Sequence, residues 1–242
     1  MGESVYVPAS AVAEPDGVAL VRRIVLETSE RSVIVDVRDG ESVRIASSRV
    51  HRDVSVLVLT IGDLAMTELT LLEPLARSVL QYFRLLLPDD QVRRAQIRTR
   101  AELETVWNAN HGAVTHIVLV AHGRPDALHF VDPEWVDGSA LDTMLGGAAP
   151  QPKEFLSLAC QTGRADFAKT FSRSSVCSSF IAPFQNVHGA VASQFCQMYF
   201  TARFLGGSSV KVAFRSASKG LGVGAHFRLW QSGKFFTIDD RR

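Results

Sequence analysis

The 242-residue sequence has few cysteines, and none of them is paired in a way that suggests metal binding. Its cysteines are Cys160, Cys177 and Cys196, an odd number without a CxxC pair. We therefore expect neither a disulfide framework nor a structural zinc site. The histidines also lack an HExxH arrangement, so we expect no metal and no cofactor. In a reducing compartment such thiols stay free, and a free thiol can act as a nucleophile.

The chain also lacks a charge excess and a long apolar run. Its 26 basic residues nearly balance its 25 acidic ones, and no block of like charge stands out, which argues against binding to nucleic acid or to an anionic membrane. No apolar run approaches the roughly 20 residues needed to span a bilayer, and no signal-type segment opens the sequence. No GxSxG is present, which argues against an α/β-hydrolase. We expect a soluble, cytoplasmic protein without nucleic-acid or membrane partners.

The first fifty residues differ from the rest of the chain. The stretches VALVRRIVLET and SVIVDVRDGESVRIAS are β-branched or alternating, and Asp39-Gly40 is typical of a turn between two strands. We predict that residues 1–52 form a small β extension. The extension is either a docking element or a set of extra strands on the main sheet.

From Asp53 onward, buried strands alternate with amphipathic helices. Strands are predicted at 54–62, 93–98, 116–123, 154–160 and 175–183. Helices are predicted at 73–83, after the capping box Thr99-x-x-Glu102, at 138–147, at 189–207 and in the stretch that follows, before a strand pair that turns at Ser232-Gly233. Pro74 would lie in the first turn of its helix, where proline is tolerated. This alternation predicts an α/β domain over 53–242, with a mostly parallel central sheet and helices on both faces.

Two of the predicted strands end in the same unusual way. The stretch THIVLVAHG runs through five apolar residues into His122 and Gly123, and EFLSLACQTG runs through an apolar stretch into Cys160. In parallel sheets, chemistry lies beyond the carboxyl ends of the strands. Because consecutive elements usually pack side by side, we expect these two ends to meet.

Such a meeting would bring together a nucleophile and a base. A thiolate attacks carbonyl carbon, and a nearby imidazole can take the thiol proton. The oxyanion that develops needs N–H donors, and the backbone N–H groups of Gly123 and Cys160 are candidates. Taken singly, the histidine and the cysteine could each be structural, but their occurrence at successive strand ends favours the functional interpretation.

Other histidines and cysteines in the chain fit this role less well. His188-Gly189 is a second His-Gly, but it precedes a helix rather than ending a strand. Cys177 lies inside a predicted strand, and Cys196 lies among the aromatic residues of a helix. We expect both of these cysteines to be core residues.

At these residues the sequence resembles the caspase-like cysteine peptidases of clan CD, and among them the bacterial CHAT-type branch. IVLVAHG followed by FLSLACQTG is similar to the paired signature of that family, and FIAP with the helix from HGAVASQ continues the likeness over roughly 53–235. The resemblance implies the caspase-haemoglobinase fold, with His122 as base, Cys160 as nucleophile, and Gly123 and Cys160 as the oxyanion hole. It also implies a regulated bacterial endopeptidase in signalling or defence, with a protein or peptide substrate and an activating protein partner.

Substrate preference is left open by the sequence. A pocket for Arg or Lys would need an acid such as Asp126 or Asp132, and a pocket for Asp would need a base such as Arg124. Gln161, directly after the cysteine, is a further pocket candidate. The glycine that directly follows the Ala-Cys-Gln of caspases is replaced here by Thr162, which weakens the case for cleavage after Asp. The alternative function is a catalytically silent caspase-like scaffold that binds protein partners.

Overall fold

The computed structural model describes most of the chain. The described residues are 3–13, 20–37, 40–50, 54–62, 66–132, 134–146, 151–221 and 226–236.

The N-terminal strands form a sheet of their own. They pair antiparallel in chain order, and they are β1 (Ser4–Pro8), β2 (Leu20–Thr28), β3 (Ser32–Asp36) and β4 (Ser42–Ala46). Val7, Val35 and Ile45 belong to a small core that is separate from those of the main sheet. The strands therefore pair with one another and not with the central sheet. The predicted boundary at 52/53 and the turn residue Asp39 lie outside the described residues, and the division into two domains stays a prediction.

The central sheet contains seven strands of the described chain. They are β5 (Val56–Ile61), β6 (Val92–Ile97), β7 (His116–Val120), β10 (Lys153–Ser157), β11 (Cys177–Pro183), β12 (Phe227–Gln231) and β13 (Lys234–Phe236). A two-stranded hairpin between β7 and β10 supplies β8 (Ala127–His129) and β9 (Trp135–Asp137). The order across the sheet is β13-β12-β11-β10-β7-β5-β6. β11, β10, β7, β5 and β6 run parallel, whereas β12 and β13 close the edge antiparallel.

Helices cover both faces of this sheet. They are α1 (Met66–Leu86), α2 (Arg100–Asn110), α3 (Gly138–Gly146), α4 (Ala165–Phe171), α5 (Gly189–Phe200) and α6 (Val210–Gly220). One core lies under α1, α5 and α6, and a second lies under α2, α3 and α4. The predicted α/β architecture is thereby confirmed, and so is the capping box formed by Thr99 and Glu102 at the start of α2.

Two helices differ from the prediction. α1 begins at Met66, so Pro74 lies inside the helix and not in its first turn. A proline at this position lacks the N–H that would bond to the carbonyl four residues earlier. The predicted helix over 189–207 is α-helical only as far as Phe200, and it continues as a π-helical turn over Thr201–Leu205.

An ion-pair cluster connects the start of β10 to neighbouring elements, at the edge of the sheet opposite the carboxyl ends of the parallel strands. Glu154 on β10 pairs with Arg203 of the π-helical turn and lies 3.4 Å from His116 of β7. Tyr199 donates a hydrogen bond of 3.1 Å to the same carboxylate. Burial alone would raise the pKa of Glu154, but the attraction of His116 and Arg203 outweighs it and holds that pKa well below its usual range.

Candidate active site

The two unusual strand ends lie side by side. β7 and β10 are adjacent and parallel, with Ser157 opposite Leu119. The pairing continues one residue further, because the N–H of Leu158 donates to the carbonyl of Leu119 at 2.8 Å. Both chains then leave the sheet at the same edge, which confirms the expected adjacency of the strands.

Gly123 lies directly against the backbone that carries Cys160. A Cβ at position 123 would lie 2.5 Å from the carbonyl oxygen of Cys160 and 3.0 Å from the Cβ of Ala159. Any larger residue would push the two strand ends apart. The packing of the two strand ends therefore requires glycine at position 123, whether or not substrate is bound.

The turn after β10 is held by buried hydroxyl groups. The Ser157 and Thr162 hydroxyls are 2.9 Å apart, and Thr162 also donates to the carbonyl of Ala159. The N–H of Ala159 donates to the Ser157 hydroxyl at 3.2 Å. This network fixes the backbone on both sides of Cys160.

Gln161 carries backbone strain at this turn. Its φ is +63°, a left-handed conformation that is uncommon for residues other than glycine. The Gln161 side chain donates to the Asn186 side chain at 2.7 Å, and its backbone N–H donates to the carbonyl of Gln185. The residue thereby attaches the Cys160 turn to the loop between β11 and α5.

The Cys160 sulfur contacts that same loop. The backbone N–H of Val187 donates to Sγ at 3.4 Å, and Sγ lies 3.7 Å from the Val187 carbonyl oxygen. An N–H donor aimed at sulfur stabilises negative charge there. Cys160 is partly exposed, whereas Cys177 and Cys196 are buried in the core, and burial raises the pKa of both buried thiols.

His122 and Cys160 line one cavity. The cavity has a volume of about 530 Å³ and lies between the N-terminal half of α1, the start of α5 and the two strand ends. His122 is placed by the hairpin that follows it, because the N–H of His129 donates to the His122 carbonyl at 3.0 Å. The two imidazole rings pack edge to face with centroids 6.5 Å apart.

His188 lines the same cavity, but its side chain makes the N-terminal cap of a helix. It caps α5, and its Nδ1 accepts a hydrogen bond from the N–H of Ala190 at 3.2 Å. That nitrogen is therefore occupied by the cap of the helix. The prediction that His188 starts a helix is confirmed.

The charged pocket candidates lie outside the cavity lining. Arg124 and Asp126 pair with each other at 2.8 Å, and Arg124 also stacks over the Trp135 ring. The carbonyl of Asp132 accepts a hydrogen bond from the N–H of Arg100 at the start of α2. Neither these three side chains nor Gln161 belong to the lining residues, and their role in substrate binding stays a prediction.

Sequence reasoning missed two parts of this site. Val187 offers a backbone group, for which side-chain identity gives no signal. The α1 side of the cavity includes Leu71, Leu72 and Leu75. In the sequence these leucines show only the apolar periodicity of an ordinary core helix, which does not indicate a cavity.

Among the described residues, no group of three or more His, Cys, Asp or Glu side chains is placed to hold a metal ion. No helix in the described part of the chain is long and apolar enough to cross a membrane.

Comparison with known proteins identifies the fold. No family model and no curated protein matches the chain. Among solved structures, the chain is similar to a secreted C11 cysteine protease from Bacteroides thetaiotaomicron, determined in complex with an irreversible peptide inhibitor. The match has a TM-score of 0.51 at 12% identity and covers 74% of this chain and 66% of that chain, just under two thirds of its length. The likeness shows that the chain has the caspase-type fold of that protease.

Proposed function

We propose that the protein is a cysteine endopeptidase in which His122 is the general base and Cys160 the nucleophile. The observation that carries this proposal is the placement of both side chains on one cavity, at the carboxyl ends of adjacent parallel strands. Chemistry at that edge is the rule for open α/β sheets. The fold shared with a cysteine protease supports the same reaction class.

The reaction would proceed through a thioester. His122 takes the proton from the Cys160 thiol, and the sulfur attacks the carbonyl carbon of the scissile peptide bond. The N–H groups of Gly123 and Cys160 donate to the oxyanion of the tetrahedral intermediate. The imidazolium then gives its proton to the leaving amine, the C–N bond breaks, and the acyl group stays on sulfur. Water activated by His122 hydrolyses the thioester and restores the thiol.

The proposal extends to the biological setting on the strength of the sequence resemblance. It describes a cytoplasmic, regulated bacterial protease of the CHAT-type branch, switched on by a protein partner in signalling or defence. The N-terminal sheet supports this setting as a docking element, since its buried residues form a core of their own. Tyr6 packs against the core under α1, α5 and α6, and Arg49 packs over Gly207.

A peptide chloromethyl ketone or acyloxymethyl ketone probe tests the proposed function. We expect one adduct per chain, mapped by mass spectrometry to Cys160, because the other two thiols are buried and their pKa values are raised. Labelling of Cys177 or Cys196 with Cys160 untouched would contradict the assignment. A folded protein that no peptide probe labels would favour the silent scaffold instead.

A further inference from the structure

We infer that the cavity beside Cys160 is the specificity pocket for the residue whose carbonyl is attacked, and that it takes a large apolar side chain such as Leu, Met or Phe. This inference rests on the proposed peptidase function and deepens it. It replaces the charged pockets that the sequence suggested with an apolar one.

The wall of the cavity is made of aliphatic side chains from separate elements. Leu71, Leu72 and Leu75 come from one helix, Leu158 from the end of β10, and Val187 from the loop before α5. No Asp, Glu, Lys or Arg occurs among the lining residues that the structure describes. A buried cationic or anionic substrate side chain would find no opposite charge on these residues and would lose its hydration.

The serine side chains among the lining residues already have partners. The hydroxyls of Ser78 and Ser193 are 2.8 Å apart, and the Gln197 amide donates to both of them at 3.3 and 3.1 Å. Each of these polar atoms therefore has at least one hydrogen-bond partner inside the chain, and an apolar substrate side chain does not have to supply one.

The position and size of the cavity fit an occupant attached to the attacked carbonyl. Cys160 and His122 both line it, so the side chain on the α-carbon next to the reacting carbonyl carbon is well placed to enter it. Its volume of about 530 Å³ lies within the range of about 300–1,000 Å³ that is usual for pockets that enclose small ligands. That space accommodates a side chain as large as Phe.

Leu71 lines the cavity and is 65% exposed, so it can be changed with little effect on folding. We expect Leu71→Glu to lower kcat/KM by about 10-fold or more for peptides with Leu, Met or Phe before the scissile bond, the range that lost apolar pocket contacts usually give. Leu85→Glu is the matched control, because Leu85 lies on the same helix, is 70% exposed, and is not a lining residue.

A second variant tests the shape of the pocket independently of stability. Ser78 lines the cavity, so Ser78→Phe would fill part of it, and we expect the ratio of kcat/KM for Ala over Phe substrates to rise about 10-fold or more. A ratio measured on one enzyme sample does not depend on the fraction that is folded. The substrates are fluorogenic peptides that differ only in this residue, with Leu, Met, Phe, Ala, Arg, Lys and Asp compared.

The rates for this peptide series separate the apolar pocket from the peptidase function. Preference of the wild type for the large apolar residues, lost in Leu71→Glu and shifted in Ser78→Phe, supports the inference. Cys160-dependent cleavage that prefers Arg, Lys or Asp, unaffected by either variant, overturns the inference while the peptidase function stands. Absence of Cys160-dependent cleavage from the whole series counts against the peptidase function and removes the inference with it.

Discussion

Replacement of Cys160 by alanine is expected to abolish peptide hydrolysis and leave the fold intact. The thiol is partly exposed, and the sulfur contacts described for it are with the backbone of Val187. Loss of a nucleophile typically costs a factor of about 10⁴–10⁶ in kcat, whereas a change at a site that is not packed shifts the free energy of unfolding by about 0.5 kcal/mol or less. Initial rates with a fluorogenic peptide and urea unfolding monitored by circular dichroism measure the two quantities.

Cys196→Ala is the matched control for this prediction. Cys196 is fully buried in the core under α1, α5 and α6, so its truncation should lower the free energy of unfolding by about 1 kcal/mol and leave the activity of the folded fraction unchanged. The opposite pattern, a Cys160→Ala protein that fails to fold or still hydrolyses peptides, would show that Cys160 is a structural residue.

Replacement of His122 by alanine is expected to lower kcat by a factor of about 10²–10⁴, the usual contribution of a general base. The same change should slow alkylation of Cys160 by iodoacetamide at neutral pH, since the thiol loses its proton acceptor. Alkylation rates followed by intact mass spectrometry, together with peptide hydrolysis rates, measure both effects.

His188→Asn is the control for the base, because both histidines line the cavity and asparagine preserves the cap of α5. We expect kcat to fall far less for this variant than for His122→Ala, since it changes the wall of the cavity and not the base. If His188→Asn lost the activity while His122→Ala kept it, the base would have to be reassigned to His188.

The sequence predicted the adjacency of the two strand ends because two features point to the same edge of the sheet. An apolar run that ends in a polar residue indicates a strand end, and adjacent parallel strands end at the same edge. His122 and Cys160 are therefore found together as expected. Gly123 was predicted as an oxyanion donor, and the structure adds a packing reason that only coordinates reveal, its contact with the Cys160 carbonyl.

The pocket could not be predicted in the same way. Leu72 and Leu75 follow the periodicity of a core helix, and nothing in that pattern distinguishes a leucine under a helix from one beside a cavity. The resemblance places the charged residues after His122 at the border of the cleft, which predicts a charged specificity pocket. In the fold, Arg124 and Asp126 pair with each other on the hairpin, away from the cavity lining.

The start of α1 was missed for a related reason. Proline is disfavoured inside helices, so the sequence predicts Pro74 in the first turn. The helix begins at Met66, eight residues before Pro74. Its apolar face packs against the core of the sheet, and this packing stabilises the helix on both sides of the proline. Tertiary packing overrides local propensity here.

The central claim is that a peptide bond is cut through a thioester on Cys160, and trapping the acyl-enzyme tests it most directly. A peptide thioester or ester with Leu before the scissile bond is mixed with the wild-type protein and quenched in acid within the first turnovers. The account predicts a mass gain equal to the acyl group, located by fragmentation on Cys160 and absent from Cys160→Ala. Hydrolysis of the peptide by wild-type and Cys160→Ala protein at equal rates, with no acyl group on Cys160, would contradict it.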